Sequence, residues 1–333
     1  MPQFSAIIAG TGSSVPEKRL TNDDLSKMVE TNDEWITQRT GIKERRIAGP
    51  DETTASIGTA AARRAIESAG LEPKDIELIV GATITPEMVF PSTACFIGAE
   101  LGIPGVPAFD MSAACSGFIY ALVTGANFIR AGQYKNVLVI GAETLSRIVN
   151  YKDRNSCILF GDGAGAVVLK RTEDAGGGKL GRGLIYSTLH ADGTGGDVMK
   201  CMPGSRHPIC ADLVSQEQQF MQIRGREVYK FAVSKFGELI DSAMRACELT
   251  KEQVKYIVPH QVNQRIIDSA MEKLGMPPEQ AYVNIAKYGN TSAASIPLAL
   301  DEAWRAGKIN KGDVIIFVAF GGGLTWANAV VRI

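Results

Sequence analysis

Short apolar runs rich in β-branched residues, Val137 to Ile140 and Val314 to Val318 among them, alternate along the chain with longer stretches of helical pattern. A continuous apolar run suits a strand buried on both faces, so the alternation predicts an α/β fold in which helices cover a sheet. Helices expected from Thr53, Ser116 and Thr291 carry polar residues near their starts, where orphan backbone N–H groups need acceptors. The pattern also occurs twice. IELIVGAT, AELGIP and AFDMSAACSGFIYALVTGANFIRAGQYKNVLVIGAE in the first half answer to VKYIVPHQ, EKLGMP and YVNIAKYGNTSAASIPLALDEAWRAGKINKGDVIIFVAF in the second. Each half closes on a glycine-rich turn and a β-rich run, FGDGAGAVVLK from Phe160 and FGGGLTWANAVVRI from Phe320.

The repeat predicts two copies of one βαβ-rich unit, residues 1–172 and 173–333, packed about a pseudo-twofold axis. Cys115 stands fifteen residues before Arg130-Ala131-Gly132, and Asn290 fifteen before Arg305-Ala306-Gly307. By that count the two are symmetry-related neighbours.

Composition narrows the partners. With 333 residues and 45% hydrophobic content, the chain has apolar material for about two domains. Lysine plus arginine (35) nearly balances aspartate plus glutamate (36), and no stretch reads as a basic arm, so nucleic acid is not an expected partner. The start MPQFSAIIAGTG lacks the basic and apolar regions of a signal peptide, and no apolar run reaches membrane-spanning length. A cytoplasmic protein with no membrane partner is expected. Its six cysteines show no CxxC spacing and are expected to be reduced thiols.

One cysteine stands apart. PAFDMSAACSGFIYAL reads as a strand ending near Asp110, a turn of small residues, and a helix beginning at Cys115. A thiol there faces the positive end of a helix dipole and is expected to have a lowered pKa, while small neighbours admit a thioester. A cysteine taken at random is more often buried packing, and Cys95, Cys157 and Cys247 keep that reading. His260 follows the strand KYIVP, at the sheet edge where open α/β folds place their sites; alone, it would serve as well as a helix cap. Strand ends at Asp110, at His260 and from Asn284 to Asn290 are expected to open on one face, bringing Cys115, His260 and Asn290 together.

DMSAACSGF, VPHQVN, YGNTSAAS and AFGGG, in that order, resemble the β-ketoacyl-acyl carrier protein synthase III family, across essentially the whole chain. The resemblance implies a thiolase-like fold layered α/β/α/β/α. It implies acyl transfer through Cys115 and decarboxylation of malonyl-carrier protein by His260 and Asn290, initiating fatty acid synthesis with a short acyl-CoA, acetyl-CoA favoured. It places the oxyanion hole at the N–H groups of Cys115 and Gly322. Trp35 in TNDEWITQRTGI would stack on the adenine of coenzyme A, with Arg39 near the phosphates and Arg154 across the adenine ring; Gly225 and Asn263 complete that site. Phe90, reaching across a dimer interface, and Phe320 would bound the acyl pocket. Lys230 and Arg265 would meet the carrier protein, although a solvated helix face explains each equally well. The implied assembly is a homodimer, and no metal or redox cofactor is required, coenzyme A and phosphopantetheine thioesters being substrates.

Arg224 and Val262 depart from the family's usual smaller residues and are expected to narrow or recharge the entrance. CMPGSRHPIC brings Cys201, His207 and Cys210 near His190 in sequence, but the spacing matches no standard zinc site. GDGAG at Gly161 to Gly165 precedes a β-rich run and lacks the helix that a phosphate-binding turn needs. Other readings are a condensing enzyme of quinolone or polyketide-starter type, a thioesterase-like hydrolase acting through Cys115, and a non-catalytic coenzyme A-binding subunit. A thiolase proper would need a second catalytic cysteine.

Overall fold

The computed structural model describes residues 4–173, 181–202, 204–207, 215 and 217–333. The first sheet holds β1 (Ser5–Ser14), β2 (Leu78–Ala82), β3 (Ala108–Met111), β4 (Asn136–Glu143) and β5 (Gly163–Thr172), in spatial order β1-β5-β4-β2-β3. β2 is parallel to both β3 and β4, with Gly81 opposite Asp110 and Ile140, whereas β5 is antiparallel to β4 and β1. The second sheet holds β6 (Gly183–Ala191), β7 (Val254–Pro259), β8 (Val314–Gly321) and β9 (Thr325–Arg332), in order β7-β8-β9-β6. β7 is parallel to β8; the other two pairings are antiparallel. A single parallel bridge from Ile257 to Ala281 stands where β3 stands in the first sheet. The two sheets therefore share one topology, as the repeat predicts.

The main helices are α1 (Asp33–Thr40), α2 (Thr54–Ser68), α3 (Thr93–Glu100), α4 (Gly117–Arg130), α5 (Gly225–Ala246), α6 (Gln264–Leu274) and α7 (Ser295–Arg305). α4 and α7 lie between the sheets, and their buried faces join residues of both sheets, from Val80 and Val139 to Phe317 and Ala329, in one core. α2 and α3 cover the outer face of the first sheet, and α5 and α6 the outer face of the second. This gives five layers, α/β/α/β/α. Val137–Ile140 and Val314–Val318 are fully buried because their sheets are covered on both faces.

Close approach of the central helices needs glycine. A Cβ on Gly165 would lie 2.6 Å from the α7 backbone at Leu298, and one on Gly141 would lie 2.3 Å from the Ala293 carbonyl oxygen. Asp110 is accounted for structurally, since its carboxylate accepts from the N–H groups of Thr93 (2.6 Å) and Ala94 (2.9 Å) at the start of α3. GDGAG leads into β5, as its sequence predicts, and Asp162 pins the turn by accepting from Ala48 N–H (2.7 Å) and from Ser146 N–H (2.8 Å).

Candidate active site

Cys115 lies in a single 3₁₀ turn, Ala114–Ser116, between β3 and α4. The second copy has the same turn, Ser292–Ala294, before α7. The match extends to backbone strain, with φ of +46° at Ala114 and +48° at Ser292, a left-handed conformation rare outside glycine. The symmetry partner of Cys115 is thus Ala293. Counting back from Arg-Ala-Gly gives Asn290 instead because α4 has 14 residues and α7 only 11. Asn290 reaches the site from the strand-like segment before the turn.

The three residues nevertheless converge. Cys115, His260 and Asn290, each 5% exposed or less, line one small cavity of about 20 Å³ with Phe320, Gly321 and Gly322. That volume admits about one water-sized group. Met199 and Gly322 also border an adjoining cavity of about 650 Å³, whose walls include Ile84, Phe109 and Ala114. Gly321 is dictated by proximity to the nucleophile turn, because a Cβ there would come 2.6 Å from the Cys115 nitrogen. Thr325 fastens the glycine loop to the same turn, donating from Oγ1 to the Ala113 carbonyl at 2.9 Å.

The expected low thiol pKa is corrected. Burial pushes the Cys115 thiol up to about 12; the nearby Ser292 hydroxyl lowers it, Glu143 raises it further, and burial prevails. Helix α4 begins two residues on, at Gly117, and burial is the larger influence on the thiol.

His260 follows β7, and its N–H donates to the Val318 carbonyl at 2.8 Å. Nδ1 lies 2.8 Å from Ser295 Oγ, and the ring meets Phe320 edge-on at 5.8 Å. Burial lowers its pKa to about 3, so the imidazole is neutral at physiological pH. Asn290 is held through its backbone, which pairs with Leu159 (N–H to carbonyl, 2.9 Å) and Gly161 (carbonyl from N–H, 3.0 Å). Its Oδ1 accepts from Ser292 N–H at 2.8 Å, so the amide NH₂ is the free end of the group.

Trp35, on α1, is partly buried, while its neighbour Ile36 is the core anchor of that helix. The guanidinium carbons of Arg39 and Arg154 lie 4.4 Å and 4.9 Å from the Trp35 ring centroid. Asn263 joins this group by donating from Nδ2 to the Arg39 carbonyl at 2.9 Å. Gly225 is exposed at the start of α5, with nothing within 4 Å of where its Cβ would stand. Lys230 and Arg265 are exposed. Val262 lines the small cavity, but Arg224 is not among its lining residues and instead sits 3.7 Å from Glu227. Phe320 lines the cavity beside Cys115; Phe90 is 81% exposed and does not border either cavity of its own chain.

Cys201 borders the larger cavity, His207 pairs with Gly204 in a small bridge, and His190 stacks on Trp326 at 5.3 Å. Cys210 lies outside the described residues, and among the described residues no group of three metal-ligating side chains occurs. No helix among them is long and apolar enough to cross a membrane.

Sequence reasoning missed Glu143, fully buried at the end of β4. Its carboxylate accepts from Thr85 Oγ1 (2.6 Å), Thr83 Oγ1 (3.1 Å) and the Ile84 and Thr85 N–H groups (3.1 and 3.2 Å). Burial still raises its pKa to about 7. The repeat held one signal: GAE ends β4 where GAT ends β2, so both Thr83 and Glu143 fall at the strand ends that border the site.

A model of 3-oxoacyl-[acyl-carrier-protein] synthase III matches residues 109–193, and a model of its C-terminal part matches residues 244–333. The chain is 52% identical over 332 residues to β-ketoacyl-[acyl-carrier-protein] synthase III of Caldanaerobacter subterraneus subsp. tengcongensis, covering 99% of this chain and 98% of that one. The crystal structure of 3-oxoacyl-[acyl-carrier-protein] synthase III from Aquifex aeolicus superposes with a TM-score of 0.90 at 46% identity, covering 98% and 100% of the two chains. The priming β-ketosynthase of the R1128 polyketide pathway gives 0.91 at 33%, covering 100% and 98%. Fold and relatives together define an acyl-transferring condensing enzyme of thiolase-like architecture. The chain belongs to the β-ketoacyl-[acyl-carrier-protein] synthase III family.

Proposed function

We propose that the enzyme starts fatty acid synthesis by a decarboxylative condensation of a short acyl-CoA, acetyl-CoA favoured, with malonyl-acyl carrier protein. The observation that carries this reading is the convergence of buried Cys115, His260 and Asn290 on one cavity. Cys115 sulfur attacks the acyl carbonyl, N–H groups of Cys115 and Gly322 hold the oxyanion, and coenzyme A departs as its thiol, taking up the proton that the Cys115 thiol gives up. Malonyl thioester then loses carbon dioxide, and the enolate oxygen receives hydrogen bonds from His260 and Asn290. The resulting carbanion attacks the acyl-Cys115 carbonyl, the C–S bond breaks, and the 3-oxoacyl product leaves the Cys115 thiolate, which regains a proton.

Trp35, Arg39, Arg154, Gly225 and Asn263 receive coenzyme A in this reading, and the two guanidinium groups beside Trp35 support it. Lys230 and Arg265 meet the acidic carrier protein, and no metal or redox cofactor takes part. The enzyme works in the cytoplasm as a homodimer in which Phe90, exposed together with Met88 and Val89, closes the partner's acyl pocket. The 33% identity to a polyketide priming synthase supports a second reading, a starter condensation in secondary metabolism.

Mixing the enzyme with acetyl-CoA and malonyl-carrier protein tests the proposal. Carrier protein gaining a 3-oxobutyryl mass, with stoichiometric carbon dioxide, is expected. Release of free acetate without that product marks a hydrolase.

A further inference from the structure

Arg45 is wholly buried, yet no carboxylate among the described residues forms an ion pair with it. A buried cation is costly unless its donors are satisfied. Here the acceptors are uncharged: Nη1 donates to the Leu20 carbonyl (3.1 Å) and to Asn22 Oδ1 (2.9 Å), and Nη2 to the Ile158 carbonyl (2.6 Å). The two terminal nitrogens of a donor-only fork answer three oxygens, while the buried Nε has no partner among the described residues.

The third oxygen belongs to the segment that carries the catalytic asparagine. Leu159, next to Ile158, accepts from Asn290 N–H, Phe160 pairs with Asn290, and Gly161 donates to the Asn290 carbonyl. Arg45 also sits against this pairing sterically. A Cβ on Gly161 would lie 2.9 Å from Arg45 Cβ, and one on Gly289 would lie 3.4 Å from it and 2.8 Å from the Leu159 carbonyl oxygen. The tightest contact at Gly161 would be the Tyr288 carbonyl oxygen at 2.3 Å, and Gly289 is further required by its φ of +66°, so Arg45 is one of several groups packed against this pairing. On its other side, Asn22 donates to Asp33 Oδ1 at the start of α1 (2.8 Å), which ties the same post to the helix bearing Trp35.

We propose that Arg45 is a positioning residue for Asn290: its guanidinium anchors the Ile158–Gly161 segment against which the asparagine backbone pairs. The inference rests on the reading of Asn290 as a decarboxylation residue. Cys115 and His260 are held by other elements, the turn after β3 and the end of β7, so Arg45 governs decarboxylation rather than acyl transfer.

The two half-reactions separate these effects. Arg45→Lys is expected to lower carbon dioxide release from malonyl-carrier protein about tenfold to a hundredfold, as misplacement of a positioned group does, with Cys115 loading at saturating acyl-CoA changed by less than about threefold. In an Asn290→Ala background the same substitution is expected to cause no further loss, because both act through one contact. Equal losses in both half-reactions, or full additivity with Asn290→Ala, overturn the proposal. If Arg45→Lys does not fold, Arg45→Gln decides, since it keeps an amide donor and buries no charge; it is expected to give the same split, and equal losses in both half-reactions overturn the proposal. Wild-type enzyme that releases no carbon dioxide at all, or Asn290→Ala that releases it at the full rate, refutes the asparagine's role instead.

Discussion

His260 Nδ1 stands 2.8 Å from Ser295 Oγ, which also lies 2.8 Å from the Ser292 carbonyl oxygen; with the single hydroxyl proton given to Nδ1, the neutral ring carries its own proton on Nε2, the tautomer that can donate to an enolate oxygen. The imidazole is thereby fixed in orientation by a buried hydroxyl at the first residue of α7, the helix that follows the second copy of the nucleophile turn. Ser295→Ala removes the only side-chain hydrogen bond that His260 makes among the described residues. Malonyl decarboxylation is expected to fall about tenfold or more, with KM for malonyl-carrier protein little changed, because orientation in the transition state is lost rather than binding. Steady-state carbon dioxide release checks this, and an unchanged kcat contradicts it.

The two halves of the reaction are expected to separate genetically. Cys115→Ala abolishes primer loading and leaves measurable malonyl decarboxylation, whereas His260→Ala loads primer and decarboxylates poorly. Intact mass for loading and carbon dioxide release for decarboxylation, on the same two variants, give the comparison. Loading at the wild-type rate by Cys115→Ala would show that the nucleophile lies elsewhere.

A buried thiol with its pKa raised to about 12 makes a definite statement about reactivity. Without substrate, alkylation of Cys115 by iodoacetamide is expected to be slow at pH 7 and to rise about tenfold per pH unit through pH 9, since only the thiolate reacts. A plateau reached below pH 8 would mean that the helix start dominates after all.

Trp35→Ala is expected to raise KM for acyl-CoA about tenfold, corresponding to roughly 1.4 kcal/mol, while kcat changes little, because stacking on adenine is uniform binding, and the substitution also removes the ring beside which Arg39 and Arg154 stand. Initial rates at saturating malonyl-carrier protein check it.

Glu143 makes stability depend on pH. Its folded pKa of about 7 lies above its ordinary 4.5, so its contribution is complete below about pH 4.5 and is lost as pH rises through about 7. Glu143→Gln is expected to remove that component. Urea unfolding midpoints between pH 4.5 and 8 should fall less with rising pH in the variant than in the wild type; parallel curves would contradict this.

The sequence carried the repeat, the helix-covered sheets and the Cys115, His260 and Asn290 convergence, because strand runs and small-residue turns are local patterns that persist in both halves. The five layers followed only from the family resemblance. Equal spacing to Arg-Ala-Gly misled on one point. A central helix three residues shorter shifts the count, and Ala293, an unremarkable alanine in sequence, takes the place opposite Cys115. The thiol's pKa was illegible for another reason: helix starts are local, whereas burial comes from both sheets at once. No local pattern singles out Glu143 or Arg45, because their partners lie up to 113 residues away.

The central claim is that Cys115 carries the acyl group. Mass analysis of the Cys115 peptide after mixing with acetyl-CoA tests it most directly. An acetyl adduct on Cys115, discharged when malonyl-carrier protein is added and recovered as 3-oxobutyryl-carrier protein, is the expected result. An unmodified Cys115 peptide under conditions where product forms would contradict it.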